Sequence, residues 1–188
     1  MLKPPSYSKV QKPLLHPPSY IQHKDIRFLI TDTPSSNTIS RYINEFKRWN
    51  VTDVVRCCKA TYSPTILNEH GIKVHDWMFT DGDAPPNSVI DAWLNLVDLL
   101  FKDTTIKEIK KKEPCIAVHC VAGLGRAPLL VAIALIEEGM DPLDSIEYVR
   151  RHRRGSINQR QLKYLETYKR RRKRKQYRIK NELKCCIL

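Results

Sequence analysis

One stretch of the sequence combines a nucleophile, two glycines and an arginine at a spacing that suits phosphate chemistry. Cys120 follows the apolar run 115–118 and precedes the apolar helical run 129–136, and Arg126 lies six residues after it. The unpaired N–H groups at the start of a helix, together with the helix dipole, favour a bound anion. A planar guanidinium can hold two oxygens of a phosphate. The Cys120 thiolate could then attack the phosphorus of a bound monoester.

The loop that joins Cys120 to Arg126 has the length expected of a phosphate cradle. A phosphate dianion needs several inward-facing N–H groups, and five intervening residues can supply them. Gly123 and Gly125 are predicted to allow backbone turns that other residues resist, and the positive field favours the thiolate form of the cysteine. His119 is expected to fix the loop through hydrogen bonds rather than to act as a base. A small core cysteine beside a tight turn is the alternative interpretation. The other predicted members of the loop are Val121, Ala122, Leu124 and Ala127.

A second segment, residues 77–86, contains the acids that could protonate a leaving oxygen, and we call it the acid loop. Asp81 is followed by a flexible glycine, so the segment is predicted to be a mobile loop that carries the general acid. Asp83 is the reserve candidate for this role. The alternative is that these aspartates cap the helix that follows.

The elements that must position these loops are predicted from the periodicity of apolar residues. Strands that alternate with helices predict one α/β domain over residues 24–168, with a central sheet flanked by helices. The proline-rich residues 1–23 are predicted to form a flexible arm. Strands are expected near 26–30, 51–58, 72–77 and 115–118, and helices near 39–49, 86–101, 126–138, 142–152 and 158–170.

The composition of the 188-residue chain limits what the protein could do. Its formal net charge is +13, but residues 169–188 carry +9 of it, so the basic character belongs mostly to the C-terminal tail. Few aromatic residues accompany these bases, and nucleic-acid binding is not expected. No apolar segment resembles a signal peptide or a membrane span, so we expect the six cysteines to lie in a reducing compartment. They form no C-x-x-C pair, and neither a metal nor another cofactor is expected.

These motifs together resemble the phosphatases of regenerating liver, which are the type IVA protein tyrosine phosphatases. The resemblance implies a single domain with the fold of cysteine-dependent dual-specificity phosphatases. It also implies phosphotyrosine substrates, with phosphoserine, phosphothreonine and phosphoinositides as further candidates. It extends from about residue 24 to the end of the chain, and it rests on residues 118–128, 27–31, 60–62 and 153–155 and on the terminal Cys-Cys-Ile-Leu.

The resemblance also assigns roles to individual residues. It implies that Cys120 is the nucleophile, that Arg126 binds phosphate and stabilises the transition state, and that Asp81 is the general acid. It further implies that Cys58 forms a reversible disulfide with Cys120, which would protect an oxidation-prone thiolate. A packed position in a strand is the alternative interpretation of Cys58.

Departures from typical phosphatase sequences lie in the acid loop and after the arginine. The family usually has proline at Met78 and an acid at Thr80, and Asp83 looks like an insertion relative to the family, so closure of this loop is expected to differ. Most cysteine-dependent phosphatases have serine or threonine where this chain has Ala127. That hydroxyl can stabilise the departing thiolate, so its absence predicts slow hydrolysis of the phosphocysteine, as the resemblance also implies.

The C-terminal tail predicts a location at a membrane. Residues 169–180 contain nine bases, and the final four residues form a C-a-a-X box whose leucine favours geranylgeranylation of Cys185. One lipid together with a polybasic patch can hold a protein on an anionic leaflet. We therefore expect the protein at the cytoplasmic face of the plasma membrane and endosomes, and in the nucleus or cytosol when it is unprenylated.

The chain has several candidate protein partners. The resemblance implies binding to the CBS-pair domains of cyclin-M (CNNM) magnesium-transport mediators, with Arg154 as a contact residue and an acidic side chain in the Cys120 pocket. A solvent-facing Arg154 without a partner is the alternative.

Pro4–Tyr7 and Pro17–Tyr20 match the Pro-Pro-x-Tyr pattern of WW-domain ligands, but a proline-rich leader packed at the domain edge would also explain them. The family resemblance adds homo-oligomers, including trimers, to these candidates.

Overall fold

The sheet at the centre of the protein is built from five short strands. The computed structural model describes residue 14, residues 16–102 and residues 113–171. The strand order is β1-β2-β5-β3-β4, in which β1 is antiparallel to β2 and the other neighbours are parallel. The strands are β1 (Ser19–His23), β2 (Ile26–Thr31), β3 (Val51–Arg56), β4 (Lys73–Asp76) and β5 (Cys115–His119). The described helices are α1 (Ile39–Arg48), α2 (Pro64–Asn68), α3 (Asn87–Phe101), α4 (Arg126–Glu137), α5 (Pro142–His152) and α6 (Gln159–Glu166).

Strand β5 occupies the middle of the sheet and leads directly to the predicted catalytic loop. All five of its residues are buried, as expected for a parallel strand covered on both faces. Thr31 at the end of β2 and Arg56 at the end of β3 both pair with His119 at the end of β5. The carboxyl ends of three parallel strands therefore meet at one edge of the sheet, and Cys120 follows at that edge.

Helices cover both faces of the sheet, because successive side chains of each strand point to opposite sides. On one face, Phe28 packs with Trp93 of α3 and with the apolar residues of α4. Trp93 is fully buried and donates its indole N–H to the carbonyl of Leu130 at 2.7 Å. On the other face, Phe46 of α1 packs near Val54. Loss of a buried aromatic side chain typically costs about 3–5 kcal/mol of stability. The predicted α/β fold, a central sheet flanked by helices, is confirmed.

The prediction of a flexible arm over residues 1–23 is wrong for its last part. Strand β1 begins at Ser19 and pairs with β2, and its Ile21 is fully buried. An apolar residue between polar neighbours suits an edge strand with one face on the core. The prolines just before the strand obscured this signal in the sequence.

The second Pro-Pro-x-Tyr segment is part of this edge. Tyr20 stacks on Trp49, with ring centroids 4.4 Å apart. The segment Pro17–Tyr20 is therefore packed at the domain edge, which agrees with the alternative to a WW-domain ligand. The first copy, Pro4–Tyr7, lies outside the described residues.

The predicted boundary between domain and tail at residue 169 is too early in the chain, because residues beyond it still contact the domain. The last helix, α6, nevertheless ends at Glu166, sooner than expected. The N–H of Arg171 donates to the carboxylate of Glu137 at 2.8 Å, and its guanidinium forms an ion pair with Asp91. Acids on α3 and α4 thus hold the first bases of the tail on the domain. Residues 172–188, including Cys185, lie outside the described residues. Within the described part of the chain, no helix is long and apolar enough to cross a membrane.

Candidate active site

The candidate site lies where β5 ends and α4 begins. Cys120 directly follows β5 and is only 2% exposed, and Arg126 is the first residue of α4. We call residues 120–126 the phosphate loop. Because α4 starts at the end of this loop, the unpaired N–H groups and the positive end of the helix dipole lie beside it.

The main-chain carbonyls of the phosphate loop are bound by groups outside it. Thr33 donates its N–H to the carbonyl of Val121 at 3.0 Å, and Ile157 donates its N–H to the carbonyl of Leu124 at 2.8 Å. In a planar trans peptide, the C=O of one residue and the N–H of the next point in opposite directions. The N–H groups that follow these carbonyls therefore face away from the supporting segments, towards the open side where a phosphate would bind.

Arg153 also supports the phosphate loop, although the sequence reasoning assigned it no role. It is 8% exposed, and it donates from Nε to the carbonyl of Gly123 and from Nη2 to the carbonyl of Ala122, both at 3.1 Å. Its Nη1 donates to the carbonyl of Pro17, also at 3.1 Å. Arg154, the next residue, is exposed. Two adjacent arginines look equivalent in the sequence, and only the fold distinguishes them.

Only one of the two glycines in the loop has a backbone conformation that other residues rarely adopt. Gly123 has a φ of +69°, and a Cβ there would lie 2.4 Å from the carbonyl oxygen of Thr31. The prediction of a turn closed to other residues is therefore confirmed for Gly123. The same prediction is wrong for Gly125, which has a φ of −113°. A Cβ at Gly125 would make ordinary contacts with Gln161 and Asp81, at 3.4–3.6 Å.

The Arg126 guanidinium makes hydrogen bonds through one nitrogen and an ion pair through another. Its Nη1 donates to the carbonyls of Cys57 and Phe79, at 3.1 and 3.2 Å. Its Nε lies 3.1 Å from Oδ1 of Asp81, but the N–H is not aligned for a hydrogen bond, so the contact is an ion pair. The structure thus brings together the predicted phosphate-binding arginine and the predicted general acid, which are far apart in the sequence.

His119 is buried beneath the phosphate loop. Its Nε2 lies 2.9 Å from the hydroxyl of Tyr62, whereas its Nδ1 is buried without a hydrogen-bond partner. Burial lowers the pKa of His119 to about 4, and the positive charge of Arg56 adds to this effect. The ring is therefore neutral near pH 7, which agrees with a supporting role for His119.

Arg56 braces the tyrosine that contacts His119. It donates to both carboxylate oxygens of Asp76, at 2.5 and 2.6 Å, and to the carbonyl of Tyr62 at 2.6 Å. Its guanidinium also lies over the Tyr62 ring. Hydrogen bonds from Arg56 lower the pKa of Asp76. The pair is therefore ionised, and it fixes the tyrosine hydroxyl next to the histidine.

The acid loop lies against the N-terminal end of α6. Asn158 donates from Nδ2 to the carbonyl of Gly82 at 3.3 Å, and Asp83 forms an ion pair with Arg160. Asp83 therefore faces α6, whereas Asp81 faces the phosphate loop. This geometry favours Asp81 over the reserve candidate as the general acid.

The acid-loop side chains that differ from the usual family residues are mostly exposed to solvent. Met78 is 65% exposed, and Thr80 is also exposed. Phe79, between them, is buried, and its carbonyl accepts a hydrogen bond from Arg126. The backbone at Phe79 therefore keeps its contact with the site while both flanking side chains face outwards.

Gln161 is a further residue near the site that the sequence reasoning missed. It is fully buried and forms a capping box with Asn158, in which each side chain binds the other residue's N–H. Its Nε2 has no hydrogen-bond partner and lies 3.4 Å from the position of a Cβ on Gly125. A buried amide that lacks a partner can donate to an oxygen placed in the site. The Asn-x-x-Gln spacing is a capping-box signal that could have located it.

Comparisons with known proteins identify the family. The family model described as protein-tyrosine phosphatase matches residues 44–169. Protein tyrosine phosphatase type IVA 3 of Homo sapiens is 45% identical over 175 residues, which cover 91% of this chain and 95% of that protein. This chain belongs to the type IVA protein tyrosine phosphatase family. It is a cysteine-dependent protein tyrosine phosphatase, as the sequence predicts.

Other members of the type IVA family and a solved structure agree with this assignment. PRL-1 phosphatase of Drosophila melanogaster is 48% identical over 159 residues, which cover 85% of this chain and 86% of that protein. A solved structure described as a protein tyrosine phosphatase from Leishmania major is 40% identical and superposes with a TM-score of 0.73. The match covers 81% of this chain and 99% of that one. The predicted phosphatase fold is confirmed.

The role of Cys58 as a redox partner of this phosphatase stays a prediction. The described cysteines are free thiols, and Cys58 is buried with its Sγ 4.0 Å from the hydroxyl of Thr33. Burial raises the pKa of the Cys58 thiol. Cys57 is fully buried in the same hydrophobic cluster as Cys120, so it is a packed core residue.

Proposed function

We propose that this type IVA phosphatase turns over phosphotyrosine slowly and accumulates its phosphocysteine intermediate at a membrane surface. The observation that carries the proposal is the alanine directly after the phosphate-binding arginine. Ala127 is fully buried in the first turn of α4. A methyl group therefore occupies the place where a hydroxyl could reach the departing sulfur.

In the first step, the Cys120 thiolate attacks the phosphorus while Asp81 protonates the leaving oxygen. The phosphorus–sulfur bond forms as the phosphorus–oxygen bond breaks, and the tyrosine side chain departs. The N–H groups of the phosphate loop and the guanidinium of Arg126 stabilise the negative charge on the phosphoryl oxygens. Nothing in this step requires a residue that the chain lacks, so we expect it to be fast.

In the second step, a water molecule attacks the phosphocysteine and the Cys120 thiolate departs. Asp81, now a carboxylate, accepts the proton of this water. The departing thiolate develops negative charge at a buried sulfur, and Ala127 offers it no hydrogen bond. A hydrogen bond to a charged group typically contributes about 1.5–3 kcal/mol, which corresponds to roughly 10- to 100-fold in rate. We therefore expect hydrolysis of the intermediate to limit turnover.

The variant Ala127→Ser tests this proposal. With an aryl phosphate, the wild-type enzyme is expected to show a pre-steady-state burst of phenol equal to the concentration of active sites. Ala127→Ser is expected to raise kcat by roughly tenfold or more and to reduce the burst. Ala92→Ser adds the same hydroxyl on α3, outside the phosphate loop and the acid loop, and serves as the control. An unchanged kcat in Ala127→Ser would contradict the proposal.

We infer from the sequence of the tail that the enzyme acts at the cytoplasmic face of the plasma membrane and endosomes. The C-a-a-X box supports geranylgeranylation of Cys185, and the bases of the tail supply the second attachment signal. A membrane-held enzyme meets membrane-bound substrates at a high local concentration, which offsets a slow turnover rate.

The exposed Arg154 supports a second candidate function, which is binding to the cyclin-M (CNNM) magnesium-transport mediators. Arg154 lies beside the buried Arg153, which is bonded to the phosphate loop. A partner could therefore contact Arg154 while it places an acidic side chain over Cys120. Arg154→Glu is expected to weaken binding to the CBS-pair domains but to spare hydrolysis of a small aryl phosphate. Cys120→Ser is expected to abolish hydrolysis, and equal loss of both activities in Arg154→Glu would argue against a separate binding role.

A further inference from the structure

Four successive carbonyls of the phosphate loop, those of residues 121–124, are hydrogen-bonded to groups outside it. Backbone N–H groups bind the outer two, and the Arg153 guanidinium binds the middle two, those of Ala122 and Gly123. Because the peptide units are planar and trans, these two bonds determine where the N–H groups of Gly123 and Leu124 point. Both N–H groups are thereby directed to the open side of the loop.

The contact between Arg153 and the loop is close and leaves no space for adjustment. A Cβ on Gly123 would lie 2.8 Å from Nη2 of Arg153, and Arg153 itself is 8% exposed. The guanidinium has a planar fork of donors and keeps its charge when it is buried. A full positive charge is therefore held on the back of the phosphate loop, in addition to the charge that Arg126 contributes.

We propose that Arg153 is a positioning residue for phosphate binding. Its fork holds two peptide units so that the N–H groups of Gly123 and Leu124 point at the phosphate. Its charge, transmitted through these polarised peptides, stabilises the bound phosphate dianion. The hydrogen bonds of Arg153 go to main-chain carbonyls, so it acts through the loop rather than on the reacting atoms. It acts on phosphate binding, which is separate from the rate at which the phosphocysteine is hydrolysed.

The chain offers a matched control, because Arg154 carries the same charge at the neighbouring position but is exposed. Three variants of the full chain are compared. Arg153→Gln removes the charge, Arg153→Lys keeps the charge but removes the planar fork, and Arg154→Gln removes an exposed charge.

Two readouts separate positioning from simple structural support. The first is the Kd of inorganic phosphate, measured by calorimetry. The second is the split between KM and kcat for an aryl phosphate. Both Arg153 variants are expected to raise the Kd by roughly tenfold or more and to raise KM by a larger factor than they lower kcat. Arg154→Gln is expected to change the Kd by less than about twofold.

Urea unfolding of each variant completes the experiment. If the Arg153 variants lower the unfolding midpoint but keep the phosphate Kd and the KM of Arg154→Gln, Arg153 is only a structural brace and the proposal is wrong. The lysine variant decides the outcome if the glutamine variant does not fold. Failure of both to fold would also assign Arg153 a purely structural role and overturn the proposal.

Discussion

At the residue scale, His119 shows how burial changes the chemistry of a side chain next to the predicted nucleophile. A histidine beside a catalytic cysteine could in principle act as a base. Its lowered pKa and its contact with the Tyr62 hydroxyl instead make it a neutral part of the site's support. The network that runs from Asp76 through Arg56 to Tyr62 keeps the ring in place.

The depressed pKa of His119 predicts a loss of stability in mild acid. The histidine takes up a proton near pH 6.5 in the unfolded chain but only near pH 4 in the folded protein. The unfolded state therefore binds more protons between these values, and stability falls as the pH drops from about 6.5 towards 4. By this linkage, His119 should destabilise the protein by about 2 kcal/mol at pH 5 relative to pH 7.5.

Urea unfolding at the two pH values measures this effect. His119→Gln is expected to show a smaller loss of unfolding free energy on acidification than the wild-type protein. His70→Gln, which alters an exposed histidine, should keep the wild-type loss. Equal losses in all three proteins would mean that His119 is not the group responsible.

At the scale of elements, the acid loop is held by α6 as well as by the phosphate loop. Asp83 pairs with Arg160, and Asn158 binds the carbonyl of Gly82. The capping box that starts α6 orders Asn158 and so provides a rigid surface for the loop. Asp83 therefore gives the loop an attachment point next to Asp81.

Arg160→Ala is expected to weaken general-acid catalysis without removing it. The ion pair is largely exposed, so its loss should change the population of the closed loop by only about two- to fivefold. kcat/KM should fall by this factor for aryl phosphates with poor leaving groups, which need the proton of Asp81. It should stay constant for those with good leaving groups. Stopped-flow measurement of the phosphorylation step gives these values.

Two comparisons make this prediction specific to the acid loop. Arg151→Ala removes an exposed ion pair with Glu147 on α5 and should have no dependence on the leaving group. Asp81→Asn should show the same dependence as Arg160→Ala but more strongly. If Arg160→Ala affects good and poor leaving groups alike, the ion pair does not position the acid.

At the scale of the whole molecule, the first bases of the C-terminal tail belong to the surface of the domain, since Arg171 pairs with Asp91 and donates to Glu137. Arg171, the last residue that the structure describes, therefore lies beside α3 and α4. Prenylation at Cys185 would attach the catalytic domain to a membrane through the residues that follow Arg171.

Cys185→Ser is expected to release the enzyme from membranes when it is expressed in cells that prenylate proteins. The reason is that a polybasic patch without a lipid binds an anionic surface only weakly and reversibly. Fractionation of membranes and cytosol measures the change. Cys186→Ser, which alters the neighbouring cysteine and leaves the prenylated position in place, is the control. Membrane association of Cys185→Ser equal to that of the control would refute prenylation at this residue.

Much of the fold could be predicted because its signals are local. Helices α3 and α4 have long apolar patterns, and β5 is a continuous apolar run. The sequence pattern does not predict the short helix α2, because this helix has only five residues and depends on a cap from Ser63. It does not predict strand β1 either, because the place of β1 in the sheet depends on pairing with β2 and the adjacent prolines are typical of a flexible arm.

The sequence alone was enough to identify the family and to predict the nucleophile and the phosphate-binding arginine, because these residues lie in one contiguous loop whose spacing carries the chemistry. The fold was needed to show which of two neighbouring arginines supports that loop and which of two aspartates faces it. Arg153 rather than Arg154, and Asp81 rather than Asp83, lie beside the phosphate loop. Such choices depend on contacts between segments that are far apart in the chain, and neither periodicity nor residue type encodes them.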